Sequence, residues 1–143
     1  MNHLTVFSLV MLCVGHLSAE KPTVHLVPEK MGDLMQSLMS CLLEAPVDPE
    51  VLLQLRNGGS PKNIDEKGLQ KFAYCAFIKS GYGKKNGHVK VDKALELYPK
   101  NVDKEQIKKV MEECNGEEGK EPAETAFKFM KCFREKSPVR AIL

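Results

Sequence analysis

Cysteine placement constrains this chain more than any other feature: there are five, at positions 13, 41, 75, 114 and 132, and their chemistry depends on the compartment in which the chain folds. The amino terminus indicates that compartment. Leu4 to Val14 is an apolar run interrupted only by Thr5 and Ser8, and the stretch Gly15 to Ala19 closes it with small residues, as at the end of a secretory signal peptide. A membrane anchor needs about 20 apolar residues; this run is shorter, and Glu20 and Lys21 follow at once. The chain is therefore expected to divide into a signal peptide, residues 1–19, and one secreted domain, residues 20–143, with no stable membrane insertion.

Cys13 leaves with the signal, so Cys41, Cys75, Cys114 and Cys132 remain, an even number in a small chain bound for an oxidising environment. Disulfides are the expectation. Structural zinc takes its ligands in close pairs, and these four are far apart in sequence. Four cysteines allow three pairings, and arithmetic chooses none of them.

Between the cysteines the apolar spacing is helical. Met31, Leu34, Met35, Leu38, Met39 and Leu42 form a stripe at intervals of three and four that Pro46 closes. Asp48, Pro49 and Glu50 open a short second helix with Val51, Leu52 and Leu55, stopped by Asn57 to Gly59. Asn63 and Glu66 form a capping box before Leu69, Phe72, Ala73, Ala76 and Phe77, and Gly81 to Gly83 end that third helix. A basic, glycine-containing loop leads to Val91, Ala94, Leu95 and Tyr98, stopped by Pro99. Asp103 with Gln106 caps a fifth helix with Ile107, Val110 and Met111. Pro122 opens a sixth, with Ala126, Phe127, Met130 and Phe133. The expected fold is all-α: six short helices, with almost no strand, wrapped around an apolar interior. Met31, Met35, Met39, Met111 and Met130 are all expected to turn inward, and methionine adapts to varied apolar shapes. The same stripes would also suit a filled core.

Several function classes lose support. The balance of 21 Lys+Arg against 19 Asp+Glu, a net charge of +2, gives no electrostatic footprint for nucleic acid. In the secreted domain His25 and His88 have no neighbouring nucleophile or acid in a catalytic spacing, so no enzyme is expected. Neither a phosphate-cradling glycine loop nor a metal-binding histidine pair is present, and no cofactor or metal is expected.

Two segments carry a likeness to a known family. Leu69 to Gly81, LQKFAYCAFIKSG, and Pro122 to Phe133, PAETAFKFMKCF, resemble the stretches around the third and sixth cysteines of the insect odorant-binding proteins. In that six-cysteine family the second and fifth cysteines form one bridge, and their positions here hold Lys71 and Ala123. Losing both partners of one bridge leaves no odd thiol, which is similar to the four-cysteine "minus-C" branch. With KALELYP and the Asp103-capped helix, the resemblance spans residues 30 to 135.

The resemblance implies a pairing of Cys41 with Cys75 and Cys114 with Cys132. It also implies a secreted carrier that solubilises small hydrophobic molecules such as odorants or pheromones, with a chemosensory receptor as a further partner and a monomer or weak homodimer as its state. If the helices pack as in that family, the pocket is lined by Met35, Leu38, Met39, Leu52, Leu55, Phe77, Leu95, Tyr98, Val110, Met111, Phe127 and Met130. The apolar tail with Val139, Ala141, Ile142 and Leu143 would then be a lid, with a frayed end as the alternative. The competing function is a secreted helical signalling or reproductive-fluid protein whose stripes are filled core.

Overall fold

A computed structural model describes residues 21–142 apart from 58, 60 and 63. The signal-peptide expectation, the capping role of Asn63 and the terminal Leu143 lie outside the described residues.

Helix starts follow local side-chain chemistry. A 3-10 turn at Pro28–Lys30 runs into α1, Met31–Glu44, and α2 is Pro49–Arg56. The Glu50 N–H donates to Asp48 Oδ1 at 2.9 Å, which satisfies one of the donors a helix start leaves free. α3, Glu66–Ser80, begins at a different cap from the expected Asn63 and Glu66 box. Asp65 immediately precedes the first helical residue, and its Oδ1 accepts the Gly68 N–H at 3.1 Å. Gly81 ends α3 with φ at +79°, a left-handed conformation that a Cβ would penalise.

α4 is shorter than its apolar pattern, Val91–Leu95. The backbone tightens through Glu96, Leu97 and Tyr98, whose N–H groups donate to carbonyls three residues back at 3.1–3.2 Å, and Pro99 follows. In α5, Lys104–Cys114, the Gln106 N–H donates to Asp103 Oδ1 at 3.2 Å, and α6 is Pro122–Lys136. Among the described residues these are the six α-helices.

The first and last described segments join in a two-stranded parallel ribbon, β1 (Thr23–His25) against β2 (Arg140–Ile142), with Thr23 opposite Arg140. Arg140–Ile142 of the tail is thus a strand. Lys21 adds a second tie: its ammonium donates to the Arg134 and Glu135 carbonyls at 2.9 and 2.8 Å, satisfying acceptors at the negative end of the α6 dipole.

α3 and α6 form the most extensive packing pair, with α1 against α3 on one side and α5 against α6 on the other. Disulfides fasten the two flanks. Cys41 of α1 joins Cys75 of α3 with 5.7 Å between Cα atoms, and Cys114 of α5 joins Cys132 of α6 at 5.6 Å, the pairing the resemblance implies. Phe129 centres the core. It meets Phe77 edge-on at 5.9 Å and stacks on Phe133 at 5.7 Å, contacts that each add about 0.5–1.5 kcal/mol beyond burial.

Candidate functional site

The centre of the fold is built where α4, α5 and α6 meet. Asn115, just past α5, accepts the Val89 N–H at 2.9 Å and donates Nδ2–H to the Val89 carbonyl at 2.8 Å. One side chain thereby replaces a strand partner for a buried residue, and Val89 is fixed beside Ile107 and Met111. Gly87, at φ +91°, lies against Pro122 and Thr125 with no room for a Cβ, which draws the basic loop onto the start of α6. At the other end, Lys30 pairs with Glu96 at 2.9 Å and ties the entry of α1 to the turn after α4. The hydrogen-bonded pair raises the Lys30 pKa and lowers that of Glu96, as each charge stabilises the other.

Tyr98 and Met111 enter the buried cluster, and Phe77, Leu95 and Val110 pack half-buried against it, so five of the twelve expected pocket residues share one centre. Leu38, Leu52, Leu55 and Phe127 are half-buried elsewhere. Met35, Met39 and Met130 are 44%, 59% and 42% exposed. The inward orientation expected of five methionines therefore holds for Met111 and for Met31, which packs against the core, and fails for these three.

The cause is rotational. On α1 the Cys41–Cys75 bridge fixes which side meets α3, and Met35, Met39 and Leu43, spaced by four, form the outer edge of an apolar arc wider than that contact. On α6 the inward face is Thr125, Ala126, Phe129 and Cys132, and Met130 stands one residue, about 100°, further round. α2 packs broadly against no other element, and its end is held by the Arg134 guanidinium donating to the Gly59 carbonyl. It covers neither Met35 nor Met39.

Sequence reasoning missed Phe129, which does more for the core than the flanking Phe127. Its place three and four residues from Ala126, Cys132, Thr125 and Phe133 was the available signal.

The surface holds two open depressions that contain none of the twelve residues. One, of about 400 Å³, is lined by charged groups of α6 and the preceding loop, including Glu117, Lys128 and Glu135. The other, of about 320 Å³, lies between the ribbon and the start of α5, beside Val24, Val102 and Val139. Among titratable groups His88 Nε2 lies 3.2 Å from Glu118 Oε1. Burial pushes the Tyr98 phenol up to about 12. Among the described residues no helix is long and apolar enough to cross a membrane, and no group of three His, Cys, Asp or Glu could hold a metal ion.

The profile of the PBP/GOBP family matches residues 23–136, from β1 to the end of α6. The chain belongs to the PBP/GOBP family. It is similar to odorant-binding protein 10 of Aedes aegypti, 25% identical over 133 residues that cover 93% of this chain and 91% of that one. Among solved structures, odorant-binding protein 1 of Locusta migratoria superimposes with a TM-score of 0.64 at 19% identity, covering 80% of this chain and 86% of the other. The fatty acid binding protein from the oral disk of the blowfly Phormia regina does so with a TM-score of 0.59 at 24% identity, covering 77% and 93%. The structural likenesses establish the odorant-binding fold. As a PBP/GOBP protein the chain is a carrier of small hydrophobic ligands.

Proposed function

We propose that this protein is secreted, after loss of residues 1–19, and carries odorants, pheromones or related lipophilic molecules through an aqueous secretion without chemically changing them. The observation that carries this reading is the family match across every helix of the fold. The floor of the site is the cluster at Tyr98, Met111, Phe77, Leu95 and Val110. Its wall is Met35, Leu38 and Met39 of α1, Leu52 and Leu55 of α2, and Phe127 and Met130 of α6. The exposure of Met35, Met39 and Met130 supports that wall as the side that a ligand covers.

Burial drives the binding. Ten ligand methylenes leaving water are worth about 8 kcal/mol at about 0.8 kcal/mol each, enough to reach the micromolar range only where little ordering of the site opposes it. Two disulfides supply such preorganisation. The working state is a monomer or weak homodimer that delivers its cargo to a chemosensory receptor, and no catalytic step is involved.

The burial of Tyr98, Ile107 and Met111 at 5% or less favours one other reading, a signalling protein with a filled core. Mass spectrometry of small molecules retained by the purified secreted protein, with Phe127→Gln as comparison, separates the two. Retained apolar molecules that Phe127→Gln loses, with its helical circular dichroism intact, support the carrier site. Equal retention by both proteins removes Phe127 from it, and a bare wild-type chain that takes up no added lipid supports the filled core.

A further inference from the structure

Charge along this chain is sorted. Residues 67–91 hold six lysines and no acid, and residues 112–124 hold six glutamates against one lysine, although the whole chain is nearly balanced. The fold sets the two runs side by side. The loop after α3 carries Lys84, Lys85 and Lys90, all exposed, and the Asn115 clamp on Val89 fixes that loop to the turn after α5. Gly87 lies against Pro122, the residue after Glu121, and His88 Nε2 meets Glu118 Oε1 at 3.2 Å on the seam itself. On the flank, Lys108 pairs at 3.7 Å with Asp92, two residues after Lys90, and Glu112 follows Lys108 by one helical turn.

The seam uses few of these charges. Lys84, Lys85 and Lys90 on one side and Glu112, Glu117 and Glu121 on the other are exposed and make no ion pair among the described residues. A basic pole and an acidic pole that share a border suit few partners. A broad anionic surface, such as a lipid bilayer or a nucleic acid, that meets the lysines also meets Glu117 and Glu121 and is repelled by them. A second copy turned through a two-fold axis at the seam lays each pole on the opposite pole of its partner. One surface then complements itself, which is what a two-fold pair requires.

We propose that this protein self-associates as a two-fold dimer in which the Lys84, Lys85 and Lys90 face of each copy meets the Glu112, Glu117 and Glu121 face of the other. Because the charges are solvated, each pairing is weak and screened by salt, so the dimer belongs to concentrated protein at low ionic strength. The test is sedimentation of the oxidised secreted protein over micromolar to millimolar concentration. Association should weaken roughly tenfold between about 0.01 M and about 0.15 M salt, as the screening length falls from about 30 Å to about 8 Å. Lys84→Glu with Lys85→Glu makes both poles acidic, and Glu117→Lys with Glu121→Lys makes both basic. Each variant should be monomeric alone, and an equimolar mixture of the two should form a one-to-one dimer at least as tight as the wild type. A wild-type chain that stays monomeric at low salt, a dimer indifferent to salt, oligomers that grow beyond two copies, or a mixture that does not pair overturns the inference. So does a monomer that cosediments with phosphatidylserine vesicles, which would assign the lysines to a bilayer instead. The salt dependence of the wild type decides the matter even if a charge-reversed variant does not fold, and none of these outcomes bears on cargo binding.

Discussion

Changing Lys71 and Ala123 together to cysteine should create a third disulfide between α3 and α6. Lys71 is exposed and makes no hydrogen bond or ion pair among the described residues, so its ammonium is dispensable, and Ala123 is small and half-buried near the start of α6. The structure brings the two neighbourhoods together through the basic loop. One turn after Lys71, the Tyr74 hydroxyl donates to the Lys85 carbonyl at 2.8 Å, and two residues on Gly87 lies against Pro122. Neither native bridge spans the segment between α3 and the start of α6, so the new crosslink closes a loop of about 50 residues, and chain entropy gives it about 4 kcal/mol. Strain takes part of that, which leaves about 2–3 kcal/mol and a rise in Tm of roughly 10 °C. Intact mass after mild oxidation should show the loss of two further hydrogens, and calorimetry with and without reductant should show the shift. If the new thiols stay free while Cys41–Cys75 and Cys114–Cys132 remain closed, the register that places Lys71 and Ala123 opposite one another is wrong.

Asn115→Ala should cost about 2–4 kcal/mol in denaturant unfolding, because it strands both the N–H and the carbonyl of buried Val89; a loss below about 0.5 kcal/mol would show that this clamp contributes little. Truncation after Ser137 removes β2 and the Val139 packing and should lower stability by about 2 kcal/mol. The same variant should release a bound probe faster in stopped-flow if the ribbon closes the site, and an identical rate rejects the tail as a lid. For Tyr98, a folded pKa of about 12 against the ordinary 10.0 means that the unfolded chain gives up this proton first. Its contribution is intact below pH 10 and declines as pH rises toward 12, by up to about 2–3 kcal/mol, and Tyr98→Phe should flatten that alkaline slope in denaturant titrations.

Much of the helix plan is readable locally because caps are local. Asp48, Asp103, Pro122 and Gly81 mark ends that one side chain or one backbone angle enforces. α3 instead starts from Asp65, one residue before Glu66, a cap that was passed over in the sequence. Rotation about a helix axis is less legible. An apolar arc wider than the packed face does not say which edge is covered, and the Cys41–Cys75 bridge settles this for α1 by leaving Met35 and Met39 outside. The β1 and β2 ribbon had no local signal, since it joins segments far apart in sequence and depends on where α6 deposits the residues after it.

The carrier claim is tested most directly by titrating the oxidised residue 20–143 protein with an apolar fluorescent probe and competing with an unlabelled lipophilic ligand. A site of the proposed kind gives saturation at one probe per chain with a micromolar or tighter Kd, and stoichiometric displacement by the competitor. Fluorescence that rises without saturation, or a saturable signal that no apolar competitor reduces, would contradict it.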